Sequence, residues 1–145
     1  MSAKQDYLNR CKEERLFFLR NECWIRPKSK ANGGLVQLHP NPGQMVVLDK
    51  IKQLEEEQRP IRLLVLKARQ WGCSTVVQGV VMHRSRFHPY HDALVIGNRD
   101  QTTKNLMGMN RRMYEAFSPA ILEGWGRKIS QTDKNYEWEN GSVLQ

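Results

Sequence analysis

The stretch LLVLKARQWGCSTVVQGVV, residues 63–81, constrains this chain more than any other. Its apolar opening ends at Leu66 and suits a strand. A short loop follows, holding Lys67, Arg69 and Gly72. Ser74 and Thr75 then begin a second apolar run with helical character. A strand, a basic glycine-containing loop, a hydroxyl pair and a helix, in that order, form the layout of a phosphate-binding P-loop. The near-continuous apolar content of 61–66 predicts a strand covered on both faces of a parallel sheet.

The loop departs from the usual G-x-x-x-x-G-K-[ST] pattern. Aligned on Gly72, Ser74 takes the Mg²⁺-ligand position. Cys73 stands where the lysine is expected, and Lys67 where the first glycine is expected. The two ends of such a loop converge on the phosphates, so a lysine at the entrance supplies charge from the other side. Arg69 adds a guanidinium with bidentate geometry for phosphate oxygens. The expected phosphate-binding set is Lys67, Ala68, Arg69, Gln70, Trp71, Gly72, Cys73, Ser74 and Thr75, with ATP and Mg²⁺ as ligands. Lys67 and Arg69 both stand as the main phosphate cation. The plainer alternative is a basic surface turn between a buried strand and a helix.

KARQ-x-G-x-ST after an apolar strand resembles the deviant Walker A motif of phage terminase large subunits, the DNA-packaging ATPases of tailed bacteriophages. The segment WIRPKSKANGGLVQLHPNPGQ, residues 24–44, resembles the run upstream of the P-loop in that family. The resemblance spans about residue 24 to the end of the chain and is strongest at 67–75; Cys73 departs from members that keep G-K-[ST]. It implies a RecA/ASCE-like P-loop NTPase fold, a parallel sheet with flanking helices. It implies that Gln44 lies in the adenine region. It also implies double-stranded DNA as partner, a homo-oligomeric ring on a portal or prohead, and a terminase small subunit. Without the resemblance, Asn41-Pro42-Gly43-Gln44 is a plain helix start, with Asn41 as N-cap and Gln44 at the capping-box position.

Formal net charge is +8 over 145 residues, and 39% of the residues are hydrophobic, enough for one modest core. A basic excess favours a polyanionic partner. No apolar run reaches the ~18 residues of a membrane span, and the charged N-terminus has no signal-peptide core. The expected setting is the host cytoplasm, without membrane. Cys11, Cys23 and Cys73 lack C-x-x-C spacing and read as free thiols, not as a zinc site. His83, His88 and His91 lack a completing cysteine or carboxylate pair, so a polar helix end is the reading for them and no protein-bound zinc is expected.

Periodicity predicts a helix over 3–22 and an extended connector over 27–43 with a short strand at 35–38, where Lys28 and Lys30 are solvated loop charges or DNA contacts. An amphipathic helix is predicted over 42–58, burying Val47, Leu48, Ile51 and Leu54. A helix over 73–87 and a buried strand over 93–97 complete a right-handed βαβ unit with 61–66. Asp100 is the expected cap of a helix over 101–117, whose stripe is Leu106, Met109 or Asn110, Met113 and Phe117. Arg99 and Lys104, near its start, are candidate DNA contacts. Asn140-Gly141 marks a hairpin over 136–144.

An acidic residue after a second buried strand, needed for Mg²⁺ and for water activation, has no counterpart in the sequence. The expectation is therefore the N-terminal portion of a P-loop ATPase domain, cut short: a helix and connector over 1–41 and a nucleotide-binding core fragment over 42–145. A full-length parent would be an ATPase with a C-terminal nuclease; this chain alone would be inactive. The competing readings are another truncated P-loop helicase or translocase, a basic nucleic-acid-binding module without catalysis, and an inactive prophage remnant.

Overall fold

The computed structural model describes residues 2–27, 34–124, 127–132 and 134–145. Lys28 and Lys30 lie outside these. Among the described residues, six helices and two small sheets form a mixed α/β fold.

The N-terminal helix is two helices, α1 (Ala3–Glu13) and α2 (Arg15–Glu22). Ser2 caps α1 by accepting from the Gln5 N–H. The break falls at Glu14, whose backbone leaves the helical region (φ −105°, ψ 87°). The turn lets Leu8 and Cys11 of α1 and Phe18 and Leu19 of α2 bury into one core. Strands β1 (Trp24–Ile25) and β2 (Val36–Gln37) form a two-stranded antiparallel sheet. Helix α3 (Pro42–Glu56) buries the expected Val47, Leu48, Ile51 and Leu54.

Helix α4 (Cys73–Phe87) is the central element. It packs on α2 at Gly79, where an added β-carbon would lie 2.4 Å from Leu19 Cδ2. It packs on α5 (Asp100–Glu115) through a buried hydrogen bond, Asn110 Nδ2 donating to Gln78 Oε1 at 2.7 Å. Phe18 meets Phe87, His83 and Phe117 edge-on at 5.3–5.5 Å. His83 therefore faces the core, with Nε2 donating to the Cys11 carbonyl at 3.0 Å. Among the described residues no group of three His, Cys, Asp or Glu side chains is placed to hold a metal.

The α5 stripe is Met107, Asn110 and Met113, with Phe117 buried just beyond the end of the helix and Leu106 and Met109 only partly buried. Asp100 is not the cap: Arg99 holds that position, without a side-chain bond, and Asp100 is the first helical residue, paired with Lys104 at 2.8 Å and Lys134 at 3.2 Å. A short α6 (Pro119–Gly124) follows. The buried Glu22 carboxylate ties α2 to its start, accepting from Tyr7 Oη and from Ser118 N and Oγ, the latter two at 2.8 Å.

The second sheet has the order β3-β6-β5-β4, from β3 (Asp92–Ala93), β4 (Lys128–Gln131), β5 (Tyr136–Trp138) and β6 (Val143–Leu144). The expected hairpin is present as antiparallel β5 and β6 around Asn140-Gly141. Its turn is docked on the end of α4, with Asn140 Nδ2 donating to the Ser85 carbonyl at 2.8 Å.

The parallel sheet through the P-loop strand is not what these residues form. Residues 61–66 have no strand partner among the described residues, and Leu64 and Leu66 are fully exposed. The parallel partner of β3 is β6, not 61–66. That pairing continues through Val95 N donating to the Gln145 carbonyl at 2.6 Å, while Leu94 and Ile96 stay exposed. A strand exists only where another segment takes its backbone hydrogen bonds, and apolar composition does not supply that segment. No described helix is long and apolar enough to cross a membrane.

Candidate phosphate-binding site

The loop before α4 has two left-handed residues, Gln70 (φ +60°) and Gly72 (φ +85°). Gly72 takes this conformation without a Cβ penalty; Gln70 holds it against one. Gly72 is the N-cap of α4, with no capping side chain. Its carbonyl accepts from Thr75 N at 3.1 Å and Val76 N at 3.3 Å, closing the first turn. The N–H groups of Cys73 and Ser74 have no acceptor among the described residues. A left-handed residue followed by helical ones turns consecutive N–H groups the same way. Together with the dipole of a fifteen-residue helix this favours an anion.

Cys73 and Ser74 line an open pocket together with Lys67, Gln70, Gly72, Thr75 and Met109. Ser74 is exposed, while Cys73 is 8% exposed. Lys67 reaches no described partner nearer than the neighbouring Ala68 carbonyl, at 3.5 Å. No carboxylate is among the lining residues. The donors present therefore suit a polyanion carrying its own cation: backbone N–H groups, an ammonium and two hydroxyls.

Of the nine residues expected at the site, six line the pocket. Ala68, Arg69 and Trp71 do not; Ala68 and Arg69 are exposed on the loop beside it. Trp71 turns back against α3, its ring so close to Gly43 that an added β-carbon would sit 2.1 Å from Cζ2. Met109 is the wall residue that motif reasoning missed. It belongs to α5, and only the packing of α5 on α4 brings it to the loop.

Gln44 sits behind the loop, 5% exposed. It completes the expected capping box: Gln44 N donates to Asn41 Oδ1 and Asn41 N to Gln44 Oε1, both at 2.9 Å. The other end of its amide, Nε2, donates to the Gly72 carbonyl at 2.8 Å. Asn41 Nδ2 adds a bond to the Trp71 carbonyl at 3.3 Å. The start of α3 thus latches the back of the loop. Arg99 and Lys104 are exposed at the start of α5, and Lys104 is ion-paired with Asp100.

The sequence matches no family model and no curated protein.

Proposed function

We propose that residues 67–75 hold the phosphate chain of a nucleoside triphosphate with Mg²⁺, and that the chain is the nucleotide-binding part of a terminase-type, RecA/ASCE-like DNA-packaging ATPase. One observation carries this reading. Cys73 and Ser74, whose N–H groups have no acceptor among the described residues, stand at the start of a long helix behind a left-handed glycine and line the same open pocket as Lys67.

In this reading the backbone cradles the phosphates and Lys67 neutralises them from the loop entrance. Arg69 approaches from the exposed side, and the Ser74 hydroxyl is one Mg²⁺ ligand. The bound triphosphate supplies the phosphoanhydride whose cleavage does work in such machines. Hydrolysis further needs a carboxylate at the pocket to orient water and hold the metal, and no lining residue supplies one. The chain as it stands binds without turnover. Double-stranded DNA is the macromolecular partner, with Arg99 and Lys104 among its contacts. The portal, the small subunit, the ring and the host cytoplasm belong to the same proposal.

Calorimetric titration with Mg–ATP tests it. A charge-assisted hydrogen bond is worth about 1.5–3 kcal/mol, so Lys67→Ala should weaken binding by about ten-fold or more. Ser74→Ala should weaken it only when Mg²⁺ is present. Binding unchanged in both variants, or absent from the wild type, overturns the reading. Duplex DNA binding indifferent to Lys67→Ala and to ATP would instead favour a nucleic-acid-binding module without nucleotide chemistry.

A further inference from the structure

We infer that copies of this chain join edge to edge, residues 61–66 of one copy adding a strand to the open edge of β3 in the next. This goes beyond the nucleotide reading and stands without it.

Residues 61–66 are a strand without a sheet. They run with no helix, turn or bend. None of their backbone N–H and C=O groups has a partner among the described residues. Their exposure alternates: Ile61 packs on the core, Leu63 and Val65 are 39% and 37% exposed, and Leu64 and Leu66 are fully exposed. An apolar cover alone would leave six residues of backbone unmet, so what covers them must be another strand.

The matching edge is on β3, the outer strand of its sheet. The Ala93 carbonyl and the Val95 N–H both bond to Gln145, towards β6. Backbone groups alternate in direction along a strand, so those of Leu94 and Ile96 point to the open side. They too have no partner among the described residues. Ala93 and Val95 pack on the core, while Leu94 and Ile96 are 70% and 80% exposed.

Charge and side-chain parity select the pairing. Arg59, Arg62, Lys67 and Arg69 lie in a stretch, from Glu57 to Asp92, that holds no carboxylate in between. Two 61–66 strands paired with each other would crowd these cations together. Antiparallel pairing with β3 of another copy, Val65 opposite Leu94 and Leu63 opposite Ile96, sets Lys67 opposite Asp92 instead. Asp92 is exposed and has no ion pair with any described residue. Residues directly opposite share a face. Leu94 and Ile96 therefore come under the body of the copy that donates the strand. Leu64 and Leu66 come over the core of the copy that receives it. The two bodies lie on opposite faces of the joined sheet, and each covers apolar side chains that the other leaves bare. A shift of one residue would put both bodies on the same face. Because each copy carries both edges, the contact is heterologous and repeats from copy to copy.

Sedimentation velocity on the full chain tests this, at about 0.3 M salt so that repulsion between +8 chains is screened beyond about 6 Å. The wild type should form dimers and larger species as its concentration rises. Leu64→Lys with Leu66→Lys blocks the added strand, and Leu94→Lys with Ile96→Lys blocks the receiving edge. Each pair should weaken association by more than about a hundred-fold, leaving each variant a monomer. Mixed in equal amounts, the two should recover a dimer and stop there. One variant keeps the receiving edge, the other keeps the added strand, and the edges left over are both blocked. All four side chains are at least 70% exposed, so the fold tolerates the lysines. Where a lysine variant melts below the assay temperature, the corresponding serine pair should give the same pattern.

A wild type that stays monomeric overturns the inference. So does association that survives in either variant alone: survival with β3 blocked means that 61–66 strands pair with each other, and survival with 61–66 blocked means that β3 edges do. Two monomeric variants that recover no dimer on mixing also overturn the head-to-tail contact.

Discussion

Gly43→Ala puts two effects of known size in opposition. Gly43 is in the first turn of α3, where alanine on helix propensity alone would stabilise by up to about 1 kcal/mol. Against that, the new β-carbon would lie 2.1 Å from Trp71 Cζ2, 2.6 Å from Cε2 and 2.7 Å from Nε1. Overpacking of this kind costs about 1–3 kcal/mol, because ring or backbone must move. The contact wins, with a net loss of about 1–2 kcal/mol. For a chain of this size that lowers the melting temperature by about 3–8 °C. The ring can yield only by shifting Trp71, and Gly72 follows it directly, so phosphate affinity should fall as well. Urea denaturation followed by far-ultraviolet circular dichroism measures the stability without relying on tryptophan emission. The decisive comparison is the same substitution in a Trp71→Ala background. Without the ring, Gly43→Ala should become neutral or mildly stabilising, a coupling of more than about 1 kcal/mol. A single variant as stable as wild type, or a loss undiminished without the ring, would refute the reasoning.

Three further outcomes follow from the same geometry. Gln44→Glu keeps an acceptor for the Asn41 N–H but loses the donor to the Gly72 carbonyl. It should cost about 1–3 kcal/mol in urea denaturation and weaken tripolyphosphate binding, whereas unchanged binding would separate the latch from the loop. Burial, reinforced by the nearby Arg15 charge, holds the His83 pKa down to about 3. The unfolded chain therefore takes up a proton, at the ordinary value near 6.5, that the folded chain refuses. Stability is full above about pH 6.5 and falls as pH drops towards 3, by at most about 1.4 kcal/mol per unit. His83→Gln should flatten that slope in denaturation curves at several pH values, and an unaltered slope would point to another group. Leu64→Lys with Leu66→Lys should change stability by less than about 0.5 kcal/mol, since both side chains are fully exposed. The pair should also reduce self-association in sedimentation, because a bare apolar edge is an aggregation template; a large stability loss would mean these residues are covered.

Local signals account for the part of the fold and site that is legible in the sequence. The start of α4 at Cys73, its end at Phe87, the Asn41–Gln44 capping box, the buried face of α3 and the Asn140-Gly141 hairpin all rest on contacts within a few residues. Spacing and side-chain type encode such contacts directly. Long-range decisions are not legible there. Residues 61–66 read as a buried strand, yet no described segment pairs with them. Residues 93–97 read as the parallel neighbour of that strand, yet β3 pairs with β6. Glu14 ends a helix in the middle of a continuous helical pattern. Met109 carries no motif and gains its position at the loop from the packing of α5 on α4. Backbone pairing and helix packing join residues far apart in sequence. Their partners are chosen by which arrangement buries the most apolar surface with its hydrogen bonds met, and only the folded chain makes that choice.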